Sequence, residues 1–226
     1  MGREAFLARV KQAAEQGRAY RIEHQQLPAD VGYVGVTGDL CAKLAQEIDA
    51  VGGIATIVDS HAQAREVLAG YLLEAAAKTA LCWKHPVLDR LDISQFLLER
   101  SVASVDYQSQ IDSYFHQRRV TQLACDIGIT SVDVAIAETG TLLMCHRPTQ
   151  ERVASLLPPM HVAVIEQNQI VPDLLDAFNI LHERGVQNLP SNITLITGPS
   201  KTGDIELQLT TGVHGPGKWR VIIIRN

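Results

Sequence analysis

DLCAKLAQEIDAVGGIATIV, residues 39–58, decides the fold. Asp39 is placed to cap a helix running through residue 50, with Leu40, Leu44, Ala45 and Ile48 on one face, and Gly52-Gly53 stops it. Residues 54–58 follow as an apolar, β-branched run that predicts a buried strand. The alternation then repeats. Asp59 or Ser60 caps a helix over residues 62–78 with Val67, Leu68, Leu72 and Ala75 in its stripe, and residues 79–83 return as a strand ended by His85-Pro86. Helix and strand alternating at these lengths imply right-handed βαβ crossovers, and so an α/β fold built on a mostly parallel sheet with flanking helices.

On the N-terminal side, residues 4–16 place Phe6, Leu7, Val10 and Ala14 at helical spacing, and residues 18–30 are polar and contain Pro28. This divides the chain into an N-terminal helix and linker, 1–38, and an α/β domain, 39–226. On the C-terminal side, the pattern predicts helices over 91–99 and 111–123, the latter beginning near Asp112, and a short strand over 101–105. Residues 131–137 and 142–145 read as two strands joined by a polar turn. Residues 161–166 read as a buried strand and 171–184 as a helix closed by Gly185, followed by a strand at 193–197, a helix at 204–209 and a last strand at 219–224.

Composition removes several classes of function. The formal charge of −5 leaves no basic footprint, so nucleic acid is not an expected partner. Apolar runs fall well short of the roughly 18–20 residues a membrane span needs, and the first residues lack the order of a signal peptide, so a cytoplasmic protein is expected. Cys41, Cys82, Cys125 and Cys145 are widely spaced with no CxxC pair, which predicts reduced thiols and neither a zinc ribbon nor an iron–sulfur cluster. His24, His61, His85, His116, His161 and His182 show no metal-binding spacing, so no metal is expected.

Chemistry is expected at three loops broken by glycine. Gly198, Pro199, Ser200, Lys201 and Thr202 follow an apolar run, and a strand, turn and helix there would aim backbone N–H groups, two hydroxyls and an ammonium at an anion on the positive end of the helix, with Asp204 as its cap. The spacing matches neither GxxxxGK[ST] nor GxGxxG. His214 and Gly215 lie in a second loop, where an imidazole titrating near neutrality would shuttle a proton or bind substrate. Glu138 sits between a buried strand and a turn. Partly desolvated, it would serve as a base or nucleophile, or it would fix the loop by accepting from the turn's own N–H groups. Thr139, Gly140 and Thr141 would cradle a carboxylate or phosphate. His146-Arg147 would reach the same edge. A shared pocket for a small anion at one edge of a sheet is therefore expected, with Ser200, Lys201, Glu138 and His214 its principal groups.

Two of these stretches carry a family resemblance. Ala137-Glu138-Thr139-Gly140-Thr141-Leu142 resembles the AETGTL signature of the LUD-domain family, and residues 198–206 followed by 212–216 resemble its second signature. The order and distance of the pair make the match specific. Where family members commonly read Arg-Thr-Ala, this chain has Lys201-Thr202-Gly203, which keeps the charge and loses bidentate anion recognition. The resemblance implies a fold similar to the sugar-phosphate isomerase and CoA-transferase superfamily. Its length and lack of cysteine clusters resemble the short, lactate-utilization branch of the family rather than the larger branch with a ferredoxin-like region. That branch implies a part in oxidising L-lactate to pyruvate beside iron–sulfur protein partners, without a redox cofactor of its own. The alternatives are a stand-alone enzyme of isomerase, CoA-transferase or formyltetrahydrofolate cyclo-ligase type, using Glu138 and Lys201 on a small anionic substrate, and a metabolite-sensing module.

Overall fold

The computed structural model describes residues 2–18, 35–105, 115–205 and 208–225. The chain divides into two units, residues 1–34 and 35–226. The first contributes helix α1 (Arg3–Arg18), on which Phe6, Leu7 and Val10 are exposed.

In the second unit the described residues form a six-stranded, wholly parallel sheet of order β1-β12-β7-β4-β2-β3. Its strands are β1 (Ile54–Val58), β2 (Thr79–Cys82), β3 (Ala103–Val105), β4 (Ile127–Thr130), β7 (Met160–Glu166) and β12 (Lys218–Ile224). β4 and β7 are buried throughout and β12 nearly so, as expected of strands covered on both faces. Helices α2 (Leu40–Ala50), α3 (His61–Glu74), α4 (Pro86–Arg90), α5 (Ile93–Leu98), α6 (Phe115–Leu123) and α7 (Val153–Leu156) belong to this layer of the chain.

A second sheet, β8-β5-β6-β9, is built from β5 (Val134–Ile136), β6 (Thr141–Cys145), β8 (Ile170–Val171) and β9 (Ile193–Ile196), with β6 antiparallel to both neighbours. Successive side chains of a strand point to opposite faces, and β5 and β6 use both. Ala135, Leu142 and Met144 join the main core, while Val134, Ile136, Leu143 and Cys145 pack with Ala177 and Leu181 of α8 (Leu174–Glu183). The second sheet is thus the middle layer between the main core and α8.

Caps set the helix boundaries. Asp39 accepts from Ala42 N–H at 3.0 Å, Ser60 from Gln63 N–H at 3.2 Å, and Asp173 from Asp176 N–H at 3.0 Å. α3 stops at Glu74, short of residue 78, because Ala76 turns left-handed and Ala77 N–H bonds back to Leu72 O, the 6→1 bond of a Schellman ending.

Other expectations are corrected. Residues 54–58 form an edge strand, with Ile54 46% exposed, because among the described residues only β12 pairs with β1. Among the described residues no helix follows Gly203: β10 (Lys201–Ile205) and β11 (Gln208–Thr211) form an antiparallel hairpin. The threonines at 202, 210 and 211 favour a pleated strand. Lys201 and Thr202 therefore begin a strand, and the helix dipole invoked for an anion is absent there. The expected start of a helix near Asp112 lies outside the described residues.

Candidate functional site

Both signature loops dock on the last turn of α2. Gly140 has φ +63°, and a Cβ there would lie 2.7 Å from the backbone carbon of Glu47. Gly198 has φ +84°, and its Cβ would lie 2.9 Å from the Val51 carbonyl oxygen. Only glycine combines left-handed backbone with so close an approach. Lys201 Nζ donates to that same Val51 carbonyl at 2.6 Å, so its charge is spent on the carbonyl end of α2. Glu138 is half-buried, and its N–H donates to Pro172 O at 3.0 Å.

A chain of hydroxyls joins the loops. Thr139 Oγ1 lies 2.7 Å from Thr141 Oγ1, which lies 2.7 Å from Thr197 Oγ1. Thr197 opens onto a cavity of about 290 Å³ between the two sheets. Gly198, Pro199, Ser200, His214 and Gly215 line it, together with Ser155 and Leu156 of α7 and the strand residues His161 and Trp219. Ser200 N–H donates to Pro216 O at 2.9 Å, and Ser200 O accepts from Gly212 N–H at 2.9 Å, which ties the second and third loops together. Of the expected site residues, Gly198, Pro199, Ser200, His214 and Gly215 thus meet at one cavity. Thr141 reaches its wall through Thr197. Glu138, Thr139, Gly140, Lys201 and Thr202 are not among its lining residues.

His161 and Trp219 were not among the expected site residues. They are paired in register on β7 and β12, near the amino ends of the parallel strands. The row continues to Gly128 on β4, where a side chain would strike Ala154 O, and to Gly53, where one would strike Trp219 Cε3. Glycines on both flanks make room for two large side chains between them. His161 Nε2 bonds Thr130 Oγ1 at 2.8 Å, and complete burial pushes its pKa down to about 3, so the ring is neutral. Its Nδ1 and the Trp219 Nε1 are buried with no hydrogen-bond partner among the described residues. The other tryptophan, Trp83, donates to Glu151 O at 2.8 Å. The sequence signal was a single histidine and a single tryptophan inside two apolar strands that each follow a proline turn.

Two further polar clusters are internally satisfied. At the carboxyl end of β7, Glu166 is gripped by Arg90 Nε and Nη2, each at 2.7 Å, and by His61 Nε2 at 3.0 Å. Burial raises its pKa, and the Arg90 and His61 bonds more than reverse this, leaving it below the ordinary value. Asp133 is likewise raised by burial and brought below its ordinary value by Arg147, the Cys145 N–H and Arg184. Arg147 is thereby committed, and His146 bonds Thr194 Oγ1 at 2.9 Å behind the cavity wall. Among the described residues, no three His, Cys, Asp or Glu side chains are grouped to hold a metal ion, and no helix is long and apolar enough to cross a membrane.

A parallel α/β layer, a second mixed sheet and two glycine signatures seated on one helix define the class of protein. The sequence model of the LUD domain matches residues 41–224, and the chain belongs to the LUD-domain family. It is 30% identical to Lactate utilization protein C of Halalkalibacterium halodurans, over 85% of this chain and 79% of that protein. It is 31% identical to Lactate utilization protein C of Anoxybacillus flavithermus, over 98% of each. The crystal structure of a DUF162 family protein from Deinococcus radiodurans superposes with a TM-score of 0.58 at 22% identity, covering 82% of this chain and 96% of that one, and shares the fold.

Proposed function

We propose that this chain serves lactate utilization as a subunit of a system that oxidises L-lactate to pyruvate, working beside iron–sulfur proteins and carrying no redox cofactor of its own. The observation that carries the reading is similarity along nearly the whole length of a relative named Lactate utilization protein C. In this reading a small anionic metabolite is held at the cavity where Gly198, Pro199, Ser200, His214 and Gly215 converge. Ser200 and His214 supply its polar contacts. The engagement of Lys201 with Val51 lends no support to a stand-alone enzyme that uses Lys201 on its substrate.

The test is purification of the tagged chain from its native cell. Iron–sulfur proteins in stoichiometric amount are expected to accompany it. Recovery of the chain alone under gentle, low-salt conditions would contradict the subunit role.

A further inference from the structure

The second sheet ends in an unguarded strand. Among the described residues β9 has β6 as its only neighbour. His146 N–H donates to Asn192 O at 3.1 Å, so in the register of β6 and β9 the residues that exchange hydrogen bonds with β6 are Asn192, Thr194 and Ile196. Ile193 and Leu195 therefore turn their backbone N–H and C=O groups away from β6, where among the described residues they meet no backbone partner.

Exposed edges are normally defended by shortness, a charge, a proline or a bulge. The other edges of the two larger sheets follow this rule. β8 is two residues long and β3 three, and on β1 the Asp49 carboxylate accepts from Ala55 N–H at 2.9 Å. β9 is four residues of Ile-Thr-Leu-Ile in unbroken register, with none of these guards.

The free edge also borders a recess. Thr194, Leu195 and Ile196 all line the cavity of about 290 Å³. Successive side chains of a strand alternate between faces, so three consecutive lining residues present its edge and not one face. Leu156, 37% exposed, and Trp219 add apolar wall, and among the described residues no Asp, Glu, Lys or Arg lines the cavity. A strand edge beside an apolar recess suits an extended chain, whose backbone bonds give affinity and whose alternate side chains fill the recess. A single segment needs only the width of one strand, about 4.8 Å. A second folded copy needs an edge that stands clear.

We propose that β9 is a docking edge for an extended, uncharged segment of a partner protein, which adds to the second sheet as a fifth strand, pairs with Ile193 and Leu195, and sends an apolar side chain into the cavity. Docking uses the β9 wall and not the Ser200 and His214 contacts, so it goes beyond the metabolite reading and stands apart from it.

The experiment is a titration of the ¹⁵N-labelled full chain with the peptide acetyl-Thr-Val-Thr-Val-Thr-amide and with its analogue methylated at every backbone nitrogen. Saturable downfield shifts are expected at the Ile193 and Leu195 amides and not at Thr194 and Ile196, whose N–H groups already bond β6. The methylated peptide binds at least about tenfold more weakly, the cost of roughly two lost hydrogen bonds. Leu195→Pro removes an outward N–H and no bond to β6, and it weakens binding as well. Leu195→Lys, which supplies the missing guard, replaces it if that variant fails to fold. Shifts without the alternation, equal binding of the methylated peptide, or no saturable shift at about 1 mM peptide, the range of a weak complex, overturns the docking edge. Sedimentation of the chain alone is expected to give a monomer, and a dimer that Leu195→Lys dissociates assigns the edge to a second copy instead. In purification from the native cell, wild type is expected to retain a companion that the Leu195→Lys form loses. Companions equal on both forms, or absent from both, overturn the partner even where the peptide binds.

Discussion

Lys201 on β10 and Val51 at the end of α2 are joined by a 2.6 Å hydrogen bond from ammonium to backbone carbonyl, so a signature residue caps a helix far away in sequence. A cation at the carbonyl end of an exposed helix contributes about 0.3–1 kcal/mol. Lys201→Ala is expected to lower stability by that amount in urea denaturation, and Lys201→Arg to recover most of it. An unchanged unfolding midpoint for Lys201→Ala would remove the capping role.

Gly140→Ala is expected to be among the most damaging small substitutions. Left-handed backbone costs an alanine about 1–2 kcal/mol, and driving a methyl group against Glu47 and Ile48 backbone adds about 1–3 kcal/mol. Gly70→Ala is the control. Gly70 lies inside α3 facing open space, and the same change there should stabilise the protein by about 1 kcal/mol. Equal effects at the two positions would refute the docking of the first signature on α2.

Acid stability has a calculable sign. His161 is held in the folded protein at a pKa of about 3, below its unfolded value of about 6.5, so the unfolded chain binds the extra proton between those limits. Stability therefore falls as pH drops through this window, by about 2 kcal/mol between pH 6.5 and pH 5 from this residue. His85 and His146, lowered mainly by burial, act in the same direction. Glu166, Asp133, Glu74 and Asp126 are all depressed, so their contribution is full above about pH 4.3 and is lost as pH falls through their folded values. Denaturation of the wild type and His161→Gln at pH 7 and pH 5 checks this, with a shallower decline expected in the variant.

Glu166→Gln removes a carboxylate that satisfies two Arg90 donors at once. Arg90 is about half exposed and keeps much of its water, so the loss should be about 1–3 kcal/mol, below the 3–5 kcal/mol of a fully buried pair. Thermal unfolding at pH 7 measures it. No effect on ligand binding at the cavity is expected, since none of this cluster lines it.

The parallel layer was legible because its signals are local. Asp39 and Ser60 announce helices by their own capping oxygens, and β7 and β12 announce burial by apolar runs. The hairpin after Pro199 was misread because a glycine turn after a strand is equally consistent with a following strand or helix, and residues 204–209 are too short for periodicity to choose. The role of Lys201 and the meeting of His161 with Trp219 depend on which helix docks where and which strands adjoin. Register across a crossover sheet is not written in local sequence. The loops at 198–200 and 214–215 meet at the cavity, whereas Glu138 and Lys201, expected there from their places at a strand end and a glycine turn, do not line it.

The central claim, a place in lactate utilization, is tested most directly by deleting the gene in its native cell and measuring growth with L-lactate as the carbon source. The account predicts that growth on L-lactate is lost, that growth on pyruvate is unaffected, and that the wild-type gene restores the first. Undiminished growth of the deletion strain on L-lactate would contradict it.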